Sequence, residues 1–168
     1  MNNLRVLGID PGFDRMGFGI VDHAGSKMLY LGHGCIQTSA KDEFTLRLQQ
    51  LRDGLRGIIL EHRPSCVAIE QLFFQNNAKT AIKVGMARGV MVLAAADAGV
   101  PIVDVTPAQV KLGLTGWGGA DKKQIQQMVQ RVLLLQEIPK PDDAADALAM
   151  AIVGGSLFKH TKACTPGV

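Results

Sequence analysis

The chain has 168 residues, 47% of them apolar and 20% charged, with a formal net charge of +3 and a pI near 8.9. That length suits one domain with a proper core, and the mildly basic balance permits a polyanionic partner without demanding one. No apolar run approaches the roughly 20 residues of a membrane span, and the polar start followed by a strand reads against a signal peptide. Three cysteines, none in a CxxC pair, read as reduced thiols of a cytoplasmic protein.

The first element is the apolar run from Leu4 to Ile9, a buried strand that stops on Asp10 and is followed at once by Pro11 and Gly12. Pro11 cannot donate to a ladder and Gly12 tolerates positive φ, so the chain turns there and leaves Asp10 at the mouth of a sheet. Taken alone, Asp10 reads first as a turn-capping residue, and it is the further carboxylates at later strand and helix ends that overturn this. Residues 16–22 and 28–38 are strand-like around a Gly25-Ser26 turn, completing an antiparallel meander of three in which Asp14 and Asp22 are expected as solvated turn residues. Over 47–62 the period changes: Phe44, Leu48, Leu51, Leu55, Ile58 and Ile59 recur at threes and fours, the pattern of an amphipathic helix that Pro64 ends. Residues 66–70 (CVAIE) form a short strand apolar on both faces, again finishing on an acid, Glu70.

A loop with Phe73 and Phe74 leads into a long helix over 78–98, rich in Ala, Gly, Met and Val. Residues 101–105 form a further strand, and Thr106-Pro107 has the pairing that starts a helix. Residues 113–119 (GLTGWGG) read as a flexible loop, 122–136 as an amphipathic helix, and 143–157 as a last helix capped by Asp142. The polar residues 159–168 read as a short flexible tail outside a domain spanning 1–158. Strands first, then alternating helix and strand, predict an α/β fold: a mixed sheet of about five strands flanked by helices.

The segment from Asp142 to Ala147 (DDAADA) supplies the remaining acids. Asp143 and Asp146 are three apart and share a helix face. Asp146 opens a run, Ala147 to Val153, that is apolar nearly all round, so it is expected to be buried and in need of a partner. Acids at Asp10, Glu70, Asp143 and Asp146, with no basic residue beside them in sequence, would repel one another when brought together. Divalent cations relieve that repulsion, and hard oxygen ligands suit Mg²⁺ or Mn²⁺. Two ions roughly 3.5–4 Å apart could activate a water and stabilise the leaving oxygen of a phosphodiester.

GIDPG with GFG behind it, VAIEQLFF, VTPAQVK and DDAADALAMAI, in that order and spacing, resemble the RuvC family of Holliday-junction resolvases within the ribonuclease H-like superfamily. The resemblance covers residues 4–157. It implies a ribonuclease H-like fold and a homodimeric, crossover-junction endodeoxyribonuclease that nicks two strands of like polarity, leaving 5′-phosphates. It places the family's four acids on Asp10, Glu70, Asp143 and Asp146, as catalytic residues and ligands of two Mg²⁺ or Mn²⁺ ions. Asp10 would bridge both ions, Glu70 hold one, and Asp143 and Asp146 hold the other or orient the water.

For DNA, the resemblance points to Phe73 as the aromatic at the junction centre, with Phe74 beside it, where stacking is worth about 1–3 kcal/mol per base. Lys79, Lys83 and Arg88 follow without an intervening acid and read as phosphate contacts. Lys111 and Lys122 match family lysines tied to DNA contact and activity, with Lys123 adjacent. Trp117, between them, either stacks or packs. The small residues of 78–98 fit close packing on the sheet or pairing with a second copy, and the resemblance favours the dimer; it also implies a branch-migration motor complex as partner. Three competing readings are weighed: a YqgF-like RNA-directed nuclease, an actin-like nucleotide-binding kinase, and a non-catalytic junction binder whose acids only cap turns. The Phe pair and paired lysines argue against the first, and 168 residues leave no room for the two lobes of the second.

Overall fold

The computed structural model describes residues 3–72 and 78–164, with 78, 79 and 162–164 described by backbone alone. Phe73 and Phe74 therefore lie outside the described residues, as does the side chain of Lys79. The elements in chain order are β1 (Leu4–Asp10), β2 (Arg15–Ala24), β3 (Lys27–Gln37), α1 (Phe44–His62), β4 (Cys66–Glu70), α2 (Ala78–Asp97), β5 (Ile102–Val105), α3 (Pro107–Thr115), α4 (Lys122–Val132) and α5 (Asp142–Cys164).

The strands form one sheet in the order β3-β2-β1-β4-β5. Pairings β3·β2 and β2·β1 are antiparallel, β1·β4 and β4·β5 parallel. This is the mixed five-stranded arrangement expected of a ribonuclease H-like fold.

Side-chain alternation along β1 and β4 builds the two cores. Leu7 and Ile9 of β1, with Val67 and Ile69 of β4, pack on one face beneath Leu51, Leu55 and Ile59 of α1 and Met91 of α2. Val6 of β1, with Cys66 and Ala68 of β4, packs on the other face against α5 and the α3–α4 pair. A period of two then sends the last residues of both strands, Asp10 and Glu70, to the α5 face.

Helix α5 can lie close to that face because the sheet beneath it is glycine. A Cβ on Gly8 would sit 1.9 Å from the Ala147 carbonyl oxygen, and one on Gly17 2.1 Å from that of Asp143. The predicted burial of this helix is realised, since every residue from Ala147 to Val153 is buried.

The structure revises several sequence expectations. Gly12 is not in a positive-φ conformation; its Cβ would meet the Arg15 carbonyl oxygen at 2.1 Å, so the tightness of the turn excludes a side chain. Asp22 is no solvated turn residue but a buried strand residue, held by Arg5 opposite it on β1. Asp14 is exposed, as expected, yet its carboxylate pairs with the buried Arg47, whose guanidinium also covers the Phe13 ring. Residues 113–115 are the last turn of α3 rather than loop, because Leu114 is buried and Gly116 supplies the left-handed cap. Helix α4 stops at Val132, four residues before the expected 136, as the chain turns through Leu134 at φ 54°. Residues 159–164, expected as flexible tail, continue α5: no proline interrupts the chain before Pro166, and Phe158 anchors this end in the core.

Candidate active site

Three separate segments bring the four predicted acids together. Strand β1 ends in Asp10 and strand β4 in Glu70, adjacent because Ile9 and Ile69 are register partners in a parallel pair. Helix α5 starts above them and carries Asp143 and Asp146 in its first turns. A cavity of about 320 Å³ opens here, lined by Asp10, Glu70 and Asp146 together with Lys111 and Lys122. Asp143 is not part of that lining; its Oδ2 lies 2.8 Å from Nε of Arg15.

The electrostatics show a surplus of negative charge. Asp10 is pushed up to about 7, first by burial and then by the charges of Glu70, Asp146 and Asp143. Glu70 is also raised, by burial and by Asp146. Burial raises Asp146, against the pull of Lys122. Among the described residues, Lys122 is the cation of the cleft lining that contacts an acid there: Nζ is 3.0 Å from Asp146 and 3.3 Å from Asp142. Burial works against its charge, but these two carboxylates hold its pKa above the ordinary lysine value.

The predicted DNA contacts divide. Lys111 and Lys122 line the cavity. Lys123 is exposed on the first turn of α4. Lys83 is exposed on α2, its Nζ 5.9 Å from the Phe13 ring, beside a second concavity that also takes in Asp14 and Thr80. Arg88 is engaged elsewhere: Nε donates to the Glu70 carbonyl at 2.9 Å, and its other end pairs with the Asp104 carboxylate. It braces the end of β4, and with it Glu70, rather than standing free for phosphate.

Sequence reasoning missed Arg15 and the second role of Lys122. The signal for Arg15 was its position two residues before Gly17, which pairs with Asp10 and packs under Asp143. Nothing in local spacing announces the Arg88 brace, which depends on where α2 crosses the sheet.

Comparison with known proteins decides what this site belongs to. The family described as "Crossover junction endodeoxyribonuclease RuvC" matches residues 6–154. The chain belongs to the RuvC family. It is 50% identical over 149 residues to the RuvC of Brevibacillus brevis, covering 89% of this chain and 90% of that one. It is 48% identical over 163 residues to the RuvC of Rubrobacter xylanophilus, covering 97% and 90% respectively. Among solved structures, Thermus thermophilus RuvC in complex with Holliday junction substrate superposes with a TM-score of 0.90 at 35% identity, covering 94% of this chain and 96% of that one.

RuvC membership implies dependence on a divalent metal ion. The residues present fit one by their chemistry: hard carboxylate oxygens only, two of them on rigid strand ends, with burial and mutual repulsion raising Asp10, Glu70 and Asp146. Among the described residues, however, no three acids form a ready-made ligand group. Asp143 and Asp146 are turned onto Arg15 and Lys122 instead.

Proposed function

We propose that this chain resolves four-way DNA junctions by metal-dependent hydrolysis, with Asp10, Glu70, Asp143 and Asp146 as the ligands and catalytic acids. The observation that carries this reading is the convergence of four acids from β1, β4 and α5 at one mouth of the sheet, where the local lysine and arginine leave their charge unbalanced. When bound, Mg²⁺ or Mn²⁺, two ions per site, supplies charge neutralisation and water activation for phosphodiester cleavage.

The protein's own groups do the rest. Strands β1 and β4 fix the backbone at Asp10 and Glu70, since both strands are paired on either side within the sheet. Arg88 holds the Glu70 backbone in place. Lys122, on releasing Asp146, is free to meet a phosphate oxygen, and Lys111 meets the same strand from the α3 wall of the cavity. Asp10, pushed up to about 7 by its neighbours, keeps its negative charge at neutral pH most fully when a cation stands against it.

Pairing of two copies would place two such sites on one symmetric substrate. Supporting it, α2 leaves Ile82, Met86 and Leu93 exposed, by 62%, 49% and 58%, along one side, with open space at Gly89. These positions recur at helical spacing, the form an isologous helix–helix contact takes. The family resemblance adds a branch-migration motor complex as the partner that delivers the junction, and the thiol of Cys35 suits the reducing cytoplasm.

The test is incubation of the chain with a synthetic four-way junction in Mg²⁺, with linear duplex, an RNA hairpin and EDTA as controls. Paired nicks in strands of like polarity, resealed by ligase and absent from every control, are the expected result. Cleavage of the hairpin in preference to the junction, or of the junction in EDTA, contradicts the proposal.

A further inference from the structure

Trp117 is used by nothing in the site described above. It is the chain's one tryptophan, and it is 59% exposed at the turn between α3 and α4, while its neighbour Ala120 is buried. The turn does not leave it loose. The Thr115 hydroxyl lies 2.8 Å from the Lys111 carbonyl and 3.0 Å from the Trp117 carbonyl, and accepts from the Trp117 N–H at 3.1 Å. Gly119 seats the edge of the ring, since a Cβ there would fall 2.5 Å from Cζ2. An exposed indole costs solubility, and a pinned one has lost the freedom to fold away.

The indole faces a concavity of about 290 Å³ lined by Thr115, Gln124, Gln127, Met128 and Arg131. No acid belongs to that lining. The set offers a π-face, a thioether, two carboxamides that both donate and accept, and one guanidinium. That is chemistry complementary to a nucleobase with its phosphate.

The location also fits. Lys122 and Gln124 share the first turn of α4, but Lys122 lines the catalytic cavity while Gln124 lines this one. A helix is about 10 Å across, a span that only a few nucleotides of a strand cover. A strand held in the cleft and continuing around α4 therefore reaches the indole within a few nucleotides. Lys123 on the exposed side and Arg131 at the far edge give that path positive charge; of the nearby acids, Asp121 accepts from the Gln124 N–H at 2.8 Å and Asp142 is paired with Lys122 at 3.3 Å.

We propose that Trp117 is a second DNA-stacking site, taking a nucleobase of the bound junction on the outer face of the α3–α4 pair, with Gly119 as the residue that positions the ring. This rests on the junction-resolving reading. Because no other tryptophan is present, the emission of the whole protein reports on this one ring. The full-length chain is titrated, with Mg²⁺ omitted, against a dye-labelled four-way junction, following tryptophan emission and dye anisotropy together.

The expected result is an emission change that saturates in step with the anisotropy. W117A weakens junction binding about fivefold or more, whereas W117F, which keeps an aromatic face, stays within about twofold of the parent. G119A, whose new methyl pushes on the indole, loses the emission change although the ring is present. Circular dichroism of each variant confirms folding. An anisotropy rise with unchanged emission, or W117A binding as tightly as the parent, overturns the stacking site and leaves the junction reading standing. No anisotropy rise removes both.

Discussion

The β1–β2 pair carries carboxylates at both ends, Asp22 buried at one and Asp10 half-buried at the other, and the two ends could hardly be treated more differently. At the start of β1, Arg5 grips Asp22 with two donors, at 2.8 and 3.0 Å, and gives a third to the His62 carbonyl at 2.8 Å. His23 beside it bonds the Ala151 carbonyl at 3.1 Å. At the other end, Asp10 stands among Glu70, Asp143 and Asp146, with Arg15 and Lys122 as the only cations that contact this group among the described residues. The same sheet thus shows what an acid does with a cationic partner and what it does crowded by other acids. The balanced end holds strands together. The unbalanced end stores a demand for positive charge, which a bound cation would meet.

Breaking each end should therefore fail differently, and the largest effect falls on chemistry. Asp10→Asn removes a ligand and a repelling charge while keeping the shape. Junction cleavage should fall by at least about a hundredfold, with junction affinity retained in a gel-shift assay. If D10N cuts at the parental rate in Mg²⁺, the acid cluster is not the reaction centre.

The balanced end should show its effect in folding. Arg5→Ala leaves the Asp22 carboxylate buried and unpaired and should cost about 2 kcal/mol of stability, read from urea denaturation; cleavage per folded molecule should be unchanged. A loss of cleavage without loss of stability would dissolve the contrast between the two ends.

Smaller still is the pH signature. Asp10 titrates near 3.8 when unfolded and at about 7 in the folded chain. The folded state therefore holds a proton that the unfolded chain has released. The stability this contributes is fully present below about 3.8 and is lost as pH rises through about 7. D10N has no such group. In EDTA, the melting temperature of the parent should fall relative to D10N between pH 4 and pH 8, and a constant difference across that window would contradict the assigned crowding. The least effect is expected from Arg15→Gln, which frees Asp143 from a partly exposed ion pair. Mn²⁺ should then bind about two- to fivefold tighter by calorimetry, and weaker binding would show that Arg15 supports the site instead of occupying it.

Much of this was legible in the residues. Two short apolar runs, each ending on an acid, already set Asp10 and Glu70 at the ends of buried strands, and the three-residue step from Asp143 to Asp146 put those two on one helix face. The all-round apolar run after Asp146 announced a buried helix. What was not legible depends on contacts between distant segments. Asp22 looks like a turn acid until β1 supplies Arg5 across from it. Arg88 looks like a phosphate ligand until the crossing of α2 sets it against Glu70 and Asp104. Lys122 was expected on DNA, and its pairing with Asp146 follows from how α4 leans on α5, which no spacing encodes.

The measurement that tests the central claim most directly is diffraction from a crystal soaked in manganese, read by its anomalous signal. The account predicts manganese within about 2.0–2.6 Å of carboxylate oxygens from Asp10, Glu70 and the first turns of α5, with Arg15 and Lys122 displaced from Asp143 and Asp146. Manganese bound elsewhere, with those two ion pairs intact and the four acids apart, would contradict it.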